Sequence, residues 1–246
     1  MTTTKLSRTV VGAVLAVVLS TFSLAPAVAA TAPTITWAGA ITEGASYVYG
    51  QVPAANTCAA VDEAAAAVDC TVSGYETTVG THVLTATATA AEVTTTQTIS
   101  YTVTAWTLKG FYRPVKMGEN VWNKVKAGSV VPLKFKVYTG ATKATSTSVV
   151  TGFTSQLVSC TDATATADPV PLTMTKKGYA LKYRDGAFRK NWKTAKAAKV
   201  TKTVTKVTHK GKKTIVKKVK VKVTACYVVT VTTDDGSALK ALFRLR

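Results

Sequence analysis

Hydrophobic and polar residues alternate along this chain in short runs, and turn-forming residues interrupt the runs at close intervals. In TTTQTISYTV (residues 94–103), Ile99, Tyr101 and Val103 alternate with Ser100 and Thr102, so one face meets a core and the other meets water. TITW (34–37), SYVYG (46–50) and THVLTATAT (81–89) read as strands in the same way. Later, VVPLKFKVY sets Val131, Leu133, Phe135 and Val137 against Pro132, Lys134 and Lys136. Gly128-Ser129 supplies the turn before this strand, and a proline near its start is tolerated there. Alternation puts Lys134 on the solvated face. Asp234-Asp235-Gly236 separates the runs at 227–232 and 239–245 and predicts a hairpin turn, with Gly supplying the positive φ. Two carboxylates on one turn fall short of the six or more oxygens that a calcium ion takes. No stretch holds the spacing of a long amphipathic helix, so the predicted class is all-β.

The first thirty residues break this pattern. Lys5 and Arg8 precede an apolar run over residues 10–19, and Ala27-Val28-Ala29 closes the segment with small residues, the layout of a cleaved secretory signal peptide. The apolar run is shorter than the roughly 18 residues that span a bilayer. The expected product is a secreted, extracellular protein without a transmembrane anchor, held at the cell wall, if at all, by non-covalent contacts. Cys58, Cys70, Cys160 and Cys226 suit an oxidising compartment. Four cysteines allow three pairings, and spacing favours Cys58 with Cys70 and Cys160 with Cys226. Between the first pair, the alanine-rich CAAVDEAAAAVDC has helical propensity, but a disulfide across so short a segment favours a loop.

The stretch SYVYGQVPAANTCAAVDEAAAAVDCTVSGYETTVGTHVLTATATA resembles the Ig-like module of secreted actinobacterial proteins. LKGFYRPVKMGENVWNKVKAGSVVPLKFKVY (108–138) resembles the start of a PxKF domain, with Pro132, Lys134 and Phe135 as the naming motif. Cys160, YRDGAFRKNWKT (183–194), the run from Cys226 and the terminal Phe243-Arg244 follow in the family's order. The resemblance implies two tandem Ig-like β-sandwich domains, over residues 31–105 and 106–246, with secretion and no catalytic residues. One departure stands out: residues 195–225 intervene between NWKT and the last cysteine, where the family has only a few residues.

That insertion carries most of the charge. The chain has a formal net charge of +19, and removing Lys5 and Arg8 with the leader leaves +17. Twelve lysines lie between Lys193 and Lys222, so the rest of the chain carries 17 − 12 = +5. Ten of them, Lys199, Lys202, Lys206, Lys210, Lys212, Lys213, Lys217, Lys218, Lys220 and Lys222, fall in a stretch with no acidic residue. Val219 and Val221 alternate with Lys218, Lys220 and Lys222 as in a strand. The Thr/Val-rich first half is strand-prone, although lysines spaced three apart from Lys193 also permit a helical start. Lys210-Gly211 is the expected turn of a lysine-rich β-hairpin arm. Like charges facing one another across the pair would repel, and a polyanion would relieve that repulsion. One or two lysines suffice to protect a sheet edge, so the arm predicts polyanion binding. With no Arg and no aromatic it has no means of reading bases, which argues against sequence-specific nucleic-acid recognition. Wall polymers, acidic polysaccharide, anionic lipid and extracellular DNA all fit the charge.

Enzyme chemistry is not signalled. Disulfides would consume every thiol, His82 lies in a strand and His209 near the arm's tip, and the twelve acidic residues are scattered. No cofactor or metal site is expected. The other readings are a structural spacer, or a carbohydrate-binding module using Trp37, Trp106, Trp122 or Trp192, with the arm only a solubility or edge-protection device. Trp122, in the loop-like GENVWN, is the first to inspect. The proline-free junction at Thr104-Ala105-Trp106 suggests two domains that pack as a unit.

Overall fold

A computed structural model describes residues 31–173, 176–196, 199–207, 214–222 and 224–246, with only backbone pairing described for 199–207 and 214–222. The leader, the expected turn Lys210-Gly211, and Lys210, Lys212, Lys213 and His209 lie outside the described residues.

The strands of the N-terminal half are β1 (Thr34–Ala38), β2 (Ala45–Val48), β3 (Thr57–Val61), β4 (Ala67–Val68), β5 (Cys70–Ser73), β6 (Gly80–Ala90) and β7 (Val93–Thr104). They form two sheets, β1-β3-β4 and β2-β7-β6-β5. The chain leaves the first sheet after β1 and joins the second through β2, which runs parallel to β7. Small side chains dominate one part of the core, where Ala60, Ala86 and Ala88 are buried beside Ile35. Leu84, Ile99, Tyr101 and Val103 fill the other, as the alternation of β6 and β7 requires. So thin a core gains from a covalent tie, and Cys58 on β3 is bonded to Cys70 on β5, joining the two sheets. The alanine-rich segment is not the expected loop but a short hairpin, β3 paired antiparallel with β4, because Ala60-Val61 and Ala67-Val68 find each other across a turn at 62–66 in which the Asp62 carboxylate accepts the N–H groups of Ala64 and Ala66. Buried Asn56 donates to the Ile41 carbonyl and accepts from its N–H, so a polar side chain sits in this core with both ends satisfied.

The C-terminal half contributes β8 (Thr107–Gly110), β9 (Trp122–Val125), β10 (Val130–Thr139), β11 (Thr142–Lys143), β12 (Val150–Val158), β13 (Val170–Pro171), β14 (Lys182–Arg184), β15 (Ala187–Lys193), β16 (Lys199–Val207), β17 (Thr214–Lys222), β18 (Cys226–Thr233) and β19 (Ala238–Leu245). One sheet holds β11-β10-β15-β14, with β8 also paired to β10; the facing sheet runs β13-β12-β18-β19-β9. This is the ABED-against-CFG order of an immunoglobulin-type sandwich, with β8, β10, β15 and β14 opposite β12, β18 and β19. A parallel strand beside the last one recurs here, as β9 alongside β19. The chain is thus all-β, two Ig-like sandwiches in tandem. The second core is aromatic: Phe135 stacks on Phe188 and meets Phe111 and Phe153 edge-on, while Trp192 packs on Phe243 at 4.8 Å. Each such pair contributes about 0.5–1.5 kcal/mol beyond its area of burial.

The two sandwiches meet at Trp106. Its indole N–H donates to the Tyr49 carbonyl at 3.0 Å, its ring lies edge-on to Tyr49, and its backbone N–H donates to the Asp235 carboxylate at 2.6 Å.

Candidate functional site: the lysine-rich arm and its root

β16 and β17 pair antiparallel as a separate two-stranded sheet that joins neither sandwich sheet. The helical start permitted by the lysine spacing is not adopted, because β-branched Thr and Val fill the positions between the lysines from Lys199 to Val207. Seven lysines fall on these two strands: Lys199, Lys202, Lys206, Lys217, Lys218, Lys220 and Lys222.

The register corrects the expectation of face-to-face repulsion. Lys199 opposes Lys222 at the base, but Lys202 opposes Val219, Lys206 opposes Ile215, and Lys217, Lys218 and Lys220 oppose Val204, Thr203 and Thr201. A one-residue slip would change every one of these partners. Among the described pairs of this register, like charges meet directly at Lys199 and Lys222 alone.

The root of the arm is firmly held on both sides. Entering it, Thr194 is 2% exposed; its N–H donates to the Ser129 carbonyl, and its hydroxyl lies 3.1 Å from the Lys126 and 3.0 Å from the Ser129 carbonyl oxygens. One residue on, the Ala195 carbonyl accepts the Gly128 N–H. Leaving the arm, Cys226 is buried and bonded to Cys160 at the end of β12. Both expected disulfides are therefore formed. Gly128-Ser129, which sequence assigns only to a turn, is also half of the arm's clamp.

Trp122 is not in a loop but opens β9, which pairs parallel with β19 as the edge strand of its sheet. It is half-buried, with the Arg244 guanidinium 5.3 Å above its ring, and lines a cleft of about 590 Å³ with Pro114, Lys116, Lys124, Lys126 and Pro132. Trp192 is core, and Trp37 and Trp106 are half-buried against core clusters.

The chemistry-bearing residues outside the arm are engaged structurally. His82 Nε2 lies 2.6 Å from the Thr78 carbonyl oxygen, with its ring against Tyr101. At the turn ending β18, the Asp235 carboxylate accepts from the Thr233 hydroxyl, from the Ser237 hydroxyl and N–H, and from the Trp106 N–H. Burial pushes its pKa up, but the hydrogen bonds from Ser237, Thr233 and Trp106 outweigh that and hold it below the usual value. Asp235 is therefore more than a turn residue: it fastens the junction between the sandwiches, a role invisible in sequence because its partner lies 129 positions away. Sequence reasoning also passes over Lys190. On β15 it shares the inward face with Phe188 and Trp192; only 3% exposed, its ammonium donates to the Thr173 and Tyr179 carbonyls. Its pKa is lowered by burial. Among the described residues no group of three or more His, Cys, Asp or Glu converges as metal ligands, and no helix is long and apolar enough to cross a membrane.

No family model and no curated protein matches the chain. Solved structures similar to it include a chimeric titin Z1Z2 functionalized with a KLER exogenous peptide from decorin (11% identity, 89% of this chain and 97% of that one, TM-score 0.22). Titin A168169 (11% identity, 87% and 97%, TM-score 0.23) and Drosophila OTK extracellular domains 3-5 (10% identity, 85% and 61%, TM-score 0.24) are others. Likeness this loose carries nothing about function.

Proposed function

We propose that this is a secreted, non-catalytic protein of the PxKF type, organised as an Ig-like domain over 31–105 and a PxKF-type domain over 106–246, whose arm attaches it to an anionic polymer or surface of the cell envelope. The observation that carries this reading is a hairpin with seven strand lysines and no acidic residue, separate from both sandwiches and rooted by the Thr194 contacts and the Cys160–Cys226 bond. An isolated hairpin is marginal in water, so a fixed root keeps its charge presented at one place on the sandwich. Lysine ammoniums make strong, undirected contacts to phosphate and carboxylate, which suits a repetitive polyanion better than a unique ligand.

The test is co-sedimentation of the mature protein with purified cell walls across a salt series, beside a full-length variant with the seven strand lysines changed to glutamine. Salt-sensitive binding that drops at least about tenfold in the variant is expected, since every ammonium withdrawn from a phosphate takes away both attraction and salt dependence. Equal binding by both proteins would make the arm a solubility or edge-protection device and leave the sandwiches as a spacer or as the carbohydrate-binding element.

A further inference from the structure

The outward face of the sheet β8-β10-β15-β14 carries a band of opposed cations. Lys136 is directly opposite Lys109 across β10 and β8, Lys134 is opposite Arg189 across β10 and β15, and Lys182 is opposite Arg189 across β14 and β15. Four strands at about 4.8 Å spacing make a strip roughly 14 Å wide. Like charges directly opposed on a sheet are destabilising: Lys136 faces Lys109 with no carboxylate beside either among the described residues, while the Arg189 that faces both Lys134 and Lys182 is itself paired with Asp185 at 3.0 Å. All twelve carboxylate side chains lie among the described residues, and within them the ion pairs are those of Arg184 and Arg189 with Asp185. Lys109, Lys134, Lys136 and Lys182 thus have no carboxylate partner among the described residues.

Local structure positions three of these ammoniums, those of Lys109, Lys134 and Lys136. The Gly110 backbone lies so close to β10 that a Cβ there would sit 2.9 Å from the Lys134 carbonyl oxygen, and at φ +118° the position favours glycine on both counts. The close approach lets the Tyr112 N–H donate to that carbonyl at 2.7 Å and brings the Tyr112 ring to 5.9 Å from the Lys134 and 5.5 Å from the Lys136 ammonium. At the far end Lys109 lies 5.1 Å from the Tyr138 ring. A tyrosine ring beside each of these three ammoniums attracts it without neutralising its charge, which leaves the charge available to an anion.

We infer that this face is a second anion-binding surface, fitted to a linear acidic glycan that carries carboxylate or phosphate groups along its length. A nucleic acid fits less well. Tyr112 and Tyr138 are already engaged by lysines and offer poor stacking platforms for bases, and a flat sheet face has nothing to enter a groove. The inference shares the anionic-polymer reading of the arm but rests on different residues, so the two can fail separately.

The experiment uses the full chain with the seven strand lysines already changed to glutamine, and polygalacturonate as probe. On that background, Lys134→Gln with Lys136→Gln is compared with a charge-matched control, Lys177→Gln with Lys240→Gln, and with Lys134→Arg plus Lys136→Arg. The expected result is residual, salt-sensitive binding that falls at least about tenfold in the glutamine pair, stays within about twofold in the control, and is retained by the arginine pair. The glutamine pair should also melt no lower than the control at low salt, because removing opposed charges does not weaken the sheet. Absence of residual binding, or equal losses in the glutamine pair and the control, would overturn the inference whatever the arm does. Tighter binding of single-stranded oligo-dT through the same two lysines would overturn the glycan assignment. Failure of the arm reading shows separately, as equal binding by wild type and the arm variant.

Discussion

At the scale of single residues, two buried ionisable groups answer opposite electrostatic problems. Asp235 keeps its charge because four hydrogen bonds converge on it, one from the junction at Trp106. A carboxylate with a depressed folded pKa contributes stability that is present above its ordinary value of 3.8 and lost as pH falls through the folded value. Asp235→Asn supplies an amide N–H₂ where an acceptor is needed, and should cost about 1–3 kcal/mol in denaturant unfolding while flattening the acid limb of the stability profile. Lys190 has carbonyl partners but no counter-charge among the described residues, and burial lowers its pKa from 10.5. Between the depressed value and 10.5 the unfolded chain binds the extra proton, so stability rises with pH in that alkaline window. Lys190→Met should remove this rise and leave stability near neutral pH unchanged or slightly higher, while amide exchange over residues 176–181 quickens because the latch on Tyr179 is gone. The pattern Phe188, Lys190, Trp192 places Lys190 inward on the strength of its neighbours. Charge composition alone draws the eye away from it.

At the scale of elements, what is local in sequence is legible and what depends on pairing is not. Alternation finds the strands around Val131 to Val137 and Ile99 to Val103, because burial on one face leaves a period of two in the residues themselves. The spacing of the cysteines likewise points to the two disulfides that are formed. Trp122 reads as a loop residue in the sequence because its partner, Leu242, belongs to a strand far along the chain. Lysine count shows the arm to be cationic, but only register shows that most of its lysines face Val, Ile or Thr. The Cys160–Cys226 bond closes a separation of 66 residues that contains the whole arm. Changing both cysteines to alanine should cost about 4 kcal/mol by loop-closure entropy, and amide exchange at Tyr227 and Val228 should rise as the root loosens.

At the scale of the whole molecule, two modest sandwiches joined through Trp106 carry a concentrated positive charge on an arm rooted at the far end of β15. On the proposed reading the scaffold would supply placement and the arm long-range attraction, which falls off within about a Debye length and should be governed by ionic strength. The central claim is that electrostatic contact through the arm attaches the protein to an anionic polymer, and the salt dependence of affinity measures it most directly. Titrating wild type and the arm variant against a purified phosphate-bearing wall polymer from low to high salt should give a log–log slope for wild type that steepens by about 0.7 for each phosphate neutralised, and a much shallower slope for the variant. An affinity that stays flat with salt, or equal slopes for both proteins, would contradict the account.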